Sequence, residues 1–205
     1  MGRPPVVVKE RVAEAALQII DDEGLEALSI ERIARELGVR GPSLYHHFKD
    51  KAEILSEVAK LVLGDLDLDH IEADSWQDWL VTVSLRLYRR VLAHPNATAI
   101  LLQFMPDAAA VPGFGRAARM LTQQGVDPSM QVLIMEGNEK LIWGWALQRA
   151  ATFQHLERRL SPAAINRRWP ELAVAVRESL WKDEELIEAS LRAFMNGVLS
   201  TADEV

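Results

Sequence analysis

The chain has 205 residues, 49% of them hydrophobic, with a formal net charge of −7 and no cysteine. That is enough for one large or two small domains with a proper core; disulfides and thiolate metal sites are excluded, and a reducing cytoplasm is the expected location. The start, Met1 to Lys9, lacks the long apolar run of a signal peptide, and the densest run, Leu141 to Leu147, falls far short of the roughly 20 residues of a membrane span, so no membrane partner is expected.

In chain order, Gly2-Arg3-Pro4-Pro5 reads as a stiff arm. A first helix is expected from Val7 or Val8 to Glu23, with Val8, Val12, Ala15, Ala16 and Ile19 as its apolar stripe and Gly24 just past its end. Residues 29–51 follow. Ile30, Ile33, Ala34 and Leu37 share one face of a short helix, Ser29 stands at its N-cap, and Glu31 places an acid in its first turn. Gly38 permits a sharp left-handed exit, and Val39 plugs the turn. Pro42 suits the first turn of a second helix, which Leu44 and Phe48 anchor to the core. Arg40, Ser43, Tyr45, His46 and His47 are left on its outer faces. A short helix anchored by two residues, with donors facing out, fits the major groove of DNA, so the stretch reads as a helix-turn-helix.

The charge pattern is compatible with that reading. Residues 1–51 hold eight Lys/Arg against nine Asp/Glu, yet Arg40 to Lys51 carries three cationic residues and two histidines against Asp50 alone. The positive face is local, so non-specific DNA affinity should be modest and fit should matter more. Arg3 either reaches a phosphate or the minor groove, or takes no part.

The pattern Ser-x-x-x-Ile-Ala-x-x-Leu-Gly-Val-x-x-x-Ser-Leu-Tyr-x-His-Phe-x-x-Lys-x-x-Ile-Leu, within residues 8–62, resembles the DNA-binding domain of the tetracycline-repressor (TetR) family. The resemblance implies an all-α homodimer with an N-terminal three-helix helix-turn-helix domain and a larger C-terminal helical domain for ligand binding and dimerisation. It implies repression of transcription relieved by a small molecule. By motif position it puts Pro42, Ser43, Tyr45, His46, His47 and Lys51 on DNA, with Tyr45 and Lys51 on phosphates; Arg40 and His46 are the candidates for base edges. Ile30, Glu31 and Gly41 depart from the tetracycline repressor itself, and Gly41 leaves no side chain where that repressor has a base-reading one, so fewer direct base contacts and a different operator are expected.

A fourth helix is expected to begin near Lys51 and to bury Ile54, Leu55, Val58, Leu61 and Val62. The acidic stretch Gly64 to His70 breaks the pattern, which sets the expected domains at 1–63 and 64–205. Beyond it we expect a helix from Trp76 to Leu92 with Trp79, Leu80, Val83, Leu87 and Val91 inward, and a short one from Ala97 to Met105. A loop from Pro106 to Gly115 and a helix from Arg116 to Gln124 should follow. Asp127-Pro128 opens the longest helix, ending near Gln154, and its middle is apolar on every face, so it needs partners on all sides. Ser161-Pro162 should cap a short helix; others run from Pro170 to Trp181 and from Asp183 to about Ser200. Two small-residue stripes, Gly137, Gly144 and Ala151 in the long helix and Ala189, Ala193 and Gly197 in the last, are the expected dimer interface.

No phosphate-cradling loop, zinc-protease motif or nucleophile elbow is present, so no enzyme activity, cofactor or metal is expected. His46 and His47 are helical neighbours pointing about 100° apart, and His70 with Glu72 is a weak pair. The second domain is instead rich in aromatic and Met side chains. Trp79, Leu101, Phe104, Met105 and Trp145 are candidate walls of an effector pocket, with Gln103, Asn138 and His155 as its polar groups. An apolar or aromatic effector and a double-stranded DNA operator are the expected partners. An effector-independent DNA-binding dimer, or a helical carrier or enzyme without an operator, are the alternatives.

Overall fold

The computed structural model describes residues 9–64, 66, 68–104, 112–154, 167–178 and 182–202. Its helices are α1 (Lys9–Glu23), α2 (Ile30–Leu37), α3 (Gly41–Tyr45), α4 (Lys51–Leu63), α5 (Trp76–Ala93), α6 (Thr98–Gln103), α7 (Pro112–Gln123), α8 (Pro128–Gln154), α9 (Pro170–Glu178) and α10 (Asp183–Ala202). Short 3-10 turns lie at Leu25–Ala27, Leu68–His70 and Pro95–Ala97, and no strand occurs among the described residues. No described helix is long and apolar enough to cross a membrane.

Of the expected stripe of α1, Val12, Ala15, Ala16 and Ile19 are buried, with Ala13, Leu17 and Ile20 beside them, while Val8 and the expected start of the helix lie outside the described residues. It packs on α2 and α4, and its far end meets the turn at Pro95–Ala97. Helix α5 is the hub of the larger part, touching α4, α7, α8 and α10. Ser75 caps it by accepting from the Asp78 N–H at 3.1 Å. Trp79, Leu80 and Val91 point inward as expected, but Ser84 and Tyr88 are buried where Val83 and Leu87 were expected and stay half-buried. The inward face is therefore rotated, because α8 packs along α5 and a polar residue on it, Asn138, pairs with Ser84.

The expected loop needs correction at its end. Residues 105–111 lie outside the described part, but Pro112, Gly113 and Gly115 belong to the first turn of α7. A proline is tolerated there because its missing N–H has no helical partner to lose. Gly125 ends α7 at φ 77°, with the Val126 N–H returning to the Leu121 carbonyl at 3.0 Å. Asp127 then accepts from the Ser129 N–H at 2.8 Å and opens α8. The expected helix at Ser161-Pro162 falls outside the described residues, as does Trp181.

Ion pairs tie α10 to its neighbours: Arg192 to Asp78 at 2.8 Å, Arg89 to Glu184 at 2.6 Å, and Arg149 to Asp183 at 2.7 Å. The Ser75 hydroxyl, and after it the Arg192 guanidinium, hold the Asp78 carboxyl below its usual range. A carboxyl lowered in the folded state stabilises the fold above its unfolded pKa, and that contribution is lost as pH falls through the lower folded value. The melting temperature should accordingly fall on acidification below about pH 4, and Asp78→Asn should flatten part of that fall in a pH series of thermal melts. An identical slope in the variant would mean that this carboxylate adds nothing.

Candidate nucleic-acid interface

The helix-turn-helix is built by local signals that all act. Ser29 sits in extended conformation and its hydroxyl oxygen accepts from the Arg32 N–H at 3.0 Å. At the other end of α2, Gly38 adopts φ 65°, ψ 28°. Its N–H reaches the Arg35 carbonyl at 3.2 Å, and the Val39 N–H reaches Ala34 at 2.9 Å, so two carbonyls at the end of α2 are met and the chain turns sharply. Arg40 is the N-cap of α3, and Pro42 stands in its first turn.

Two side chains seat α3. Leu44 is fully buried and Phe48 nearly so, the latter held by its N–H on the Leu44 carbonyl at 3.0 Å. The helix ends at Tyr45, so His46 and His47 are not the helical neighbours the sequence suggested but lie in the turn after it; both are exposed, as are Arg40 at the N-cap and Pro42, while Ser43 is half-buried and Tyr45 is 56% exposed. An exposed tyrosine beside two exposed histidines is a poor use of surface for stability and a good one for hydrogen bonds to phosphates and base edges. Gly41 has open space where a Cβ would stand, so packing does not demand glycine there.

The cationic groups near this face divide in two. Arg32 is engaged by Glu23 at 2.6 Å and Glu36 at 2.7 Å, which push its pKa further up. Lys9 pairs with Glu53 at 2.7 Å and lies over the Phe48 ring. Glu53, held below its usual range by Lys9 and then by the Lys49 N–H, closes the turn before α4, while Asp50 caps that helix through the Glu53 N–H at 2.9 Å. Lys51 does something that its sequence position did not show. Its ammonium donates to the Leu28 carbonyl at 2.7 Å, bracing the start of α4 against the residue just before the N-cap of α2. Three donors on an ammonium leave two for a phosphate.

A second group of residues was not singled out from sequence: those that join this unit to the rest. Arg90 of α5 donates to the carbonyls of Val62 at 3.1 Å and Leu61 at 3.3 Å, at the last turn of α4, and Arg86 donates to Leu66 at 2.8 Å. On the other side, Nδ1 of His94 lies 2.7 Å from the Asp21 carboxylate, and Asn96 donates to the Asp21 carbonyl at 3.0 Å. The only sequence signal was Arg86 and Arg90, four apart and so on one side of α5.

The remaining candidates scatter. Trp79 and Leu101 are buried, Phe104 and Trp145 half-buried, and Gln103 exposed. Asn138 is buried and donates to the Ser84 hydroxyl at 2.9 Å. Met105 and His155 lie outside the described residues. Gly137 meets its own chain: a Cβ there would sit 2.1 Å from Phe194, so its small size lets α10 cross α8. Gly144, Ala151, Ala193 and Gly197 are exposed and Ala189 is half-buried; at Gly144 and Gly197 an added Cβ would meet nothing within 4 Å.

A capped helix, a left-handed glycine turn and a second helix seated by two buried side chains define a helix-turn-helix unit on an all-helical chain. Residues 12–58 match the family model described as bacterial regulatory proteins, tetR family. The match spans most of α1 to α4, the helix-turn-helix unit. The tetracycline repressor class D of Escherichia coli is 28% identical over 120 residues, 57% of this chain and 55% of the repressor. The chain spans about half the length of the curated relatives it matches. In fold it is similar to a TetR transcriptional regulator from Streptomyces coelicolor, with TM-score 0.77 and 24% identity over 95% of this chain and 98% of the other. It is also similar to ActR of the same organism, solved in complex with (S)-DNPA, with TM-score 0.71 and 22% identity over 95% and 98% of the two chains.

The lysine brace gives Lys51 a second task that Tyr45 lacks. Lys51→Ala should lower the melting temperature measurably, since a charged group's hydrogen bond is worth about 1.5–3 kcal/mol, whereas Tyr45→Ala should leave it within about a degree, as surface substitutions usually do. Equal melts for the two variants would contradict the brace.

Proposed function

We propose that this chain is a ligand-responsive transcriptional repressor that binds a palindromic operator as a homodimer. The observation that carries the reading is the outer surface of α3 and the turn after it, where Arg40, Pro42, Tyr45, His46 and His47 are exposed and Leu44 and Phe48 seat the segment from behind. Residues 1–63 are the DNA-binding domain, and residues 64–205 serve the effector and the partner subunit. Tyr45 and Lys51 hold phosphates, Pro42, Ser43 and His47 lie against the backbone, and Arg40 and His46 read bases. The family match over residues 12–58 supports the DNA side, and the tetracycline repressor among the relatives supports regulation by a small molecule.

The dimer in this reading is a four-helix contact of α8 and α10 with their symmetry mates. The exposed Gly144, Ala151, Ala193 and Gly197 support it, because glycines without an intrachain neighbour give up about 1 kcal/mol of helix propensity each for nothing unless another backbone comes close. Val132, Leu133 and Leu186 add apolar surface to the same two helices. Trp79, Leu101, Phe104, Met105 and Trp145, with Gln103, Asn138 and His155, surround the effector, an apolar or aromatic molecule. Differential affinity for two conformations then moves α4 and alters the spacing of the two α3 helices.

Selection of bound fragments from random duplex DNA should enrich a palindrome whose half-sites lie about 34–36 Å apart. Tyr45→Ala should weaken enriched and random duplexes alike, because phosphate contacts carry no sequence. Gly144→Leu, or Ala193→Glu, should give a monomer by light scattering, since a two-fold contact feels each change twice. Selection that enriches no site would overturn the regulator reading. Dimers that survive both substitutions would overturn the interface alone.

A further inference from the structure

Among the described residues, three buried side-chain atoms have no hydrogen-bond partner: Asp21 Oδ1, Trp79 Nε1 and Asn138 Oδ1. The first belongs to the joint at His94. The other two lie in the interior of the larger part, on side chains 1% and 6% exposed. A buried polar group left unmet costs the fold the full desolvation of that group, so each one calls for a reason.

We propose that Trp79 and Asn138 are the polar anchors of the effector, and that the effector is an uncharged, largely apolar ring compound bearing a carbonyl and a hydroxyl oxygen. This rests on the reading of the chain as a ligand-responsive regulator. The indole N–H is a donor only, so it needs an acceptor oxygen. The Asn138 amide has one end on the Ser84 hydroxyl at 2.9 Å, and its other end is unmet whichever way the amide is turned. A hydroxyl, donor and acceptor at once, meets either end. Trp79 and Ser84 are five residues apart on α5, about 7.5 Å along its axis and about 140° round it, so an effector that meets both must reach across the side of that helix, which calls for a molecule of more than one ring.

The absence of charge from the effector follows from the walls. The buried polar side chains among the described residues are Ser84, Gln131 and Asn138, none of them ionised. An anion or cation taken in among them would exchange its water for neutral partners alone. The guanidinium of Arg116 does approach, with its carbon 5.7 Å from the centroid of the Trp79 ring. That approach is to the face of the ring, so it leaves the in-plane N–H to an acceptor. Gln131 is already satisfied, donating to the Val126 carbonyl at 3.0 Å and to Thr122 at 3.1 Å.

The test uses the full chain and three matched tricyclic probes: 2-hydroxy-9-fluorenone, fluorene and fluorene-9-carboxylate. Affinities are measured by calorimetry and melting points by thermal denaturation. The hydroxyketone should bind at least about tenfold tighter than the other two. Trp79→Phe, which keeps an aromatic side chain but removes the N–H and one of the two fused rings, should lower its affinity about tenfold and change that of fluorene much less. The double variant Ser84→Ala, Asn138→Leu should do the same, and should also melt higher than wild type because the unmet amide end is gone. A variant that melts higher has folded, so lost affinity in it is loss of a contact. The proposal is overturned if the variants bind the hydroxyketone as wild type does, if the carboxylate binds tightest, or if no probe binds at its solubility limit. Selection of an operator by the wild-type chain reads the regulator assignment separately, so either can fail while the other stands.

Discussion

The last turn of α4 is the place on which the arrangement of the two parts depends. A helix ends with carbonyls that no residue further along can meet, and a buried one must find donors elsewhere. Here Arg90 meets two of them from α5, and its charge lies where the helix dipole favours a cation. The start of α4 is fixed as firmly, by the Asp50 cap and by Lys51 on the Leu28 carbonyl. Helix α4 is thus held at one end by the hub of the larger part and at the other by the helix-turn-helix. The contact of His94 and Asn96 with Asp21, at the end of α1, adds a second point of attachment. Two points define an orientation where one would leave a swivel. A rearrangement of α5 therefore has a direct mechanical path to α3, which is what a bistable regulator needs.

The buried polar groups of the larger part differ in kind from those of the joint. Those of the joint are satisfied by charge or by backbone, apart from Asp21 Oδ1, and they specify geometry. Trp79 and Asn138 are each left with one group unmet and weaken the fold where they stand. A fold tolerates such groups when something outside the chain supplies the missing partner. On this account the same helix, α5, carries both the unmet groups and the arginines that grip α4, which places the sensing and the transmitting residues on one rigid rod.

Much of the N-terminal unit was legible because its signals are local. Ser29, Gly38, Pro42, Leu44 and Phe48 act through neighbours a few residues away, and each behaves as its residue type dictates. The start of α8 was legible for the same reason, through Asp127 and Pro128. What escaped was set by distant partners. Glycines at 113 and 115 read as loop, yet they sit in the first turn of α7, where helix geometry tolerates them. The inward face of α5 turned toward Ser84 and Tyr88 because α8 lies there, and no periodicity in α5 itself announces that. Gly137 and Gly144 look alike in sequence, but Phe194 fills the space beside one and not the other. The lysine brace and the arginine grip reach across 23 and 28 residues, beyond any pattern a window can hold.

The central claim is that α5 grips α4 and fixes where α3 points. The chain has no cysteine of its own, so thiols can be placed at will. Spin labels on His47→Cys, in the turn that follows α3, and Arg119→Cys in α7, both exposed positions, would report the distance between these two elements within one chain diluted in unlabelled protein. The account predicts one narrow distance in the otherwise unaltered chain and a broad distribution when Arg90→Ala and His94→Ala are added with the melting transition still cooperative. A narrow, unshifted distance in the variant without Arg90 and His94 would contradict it.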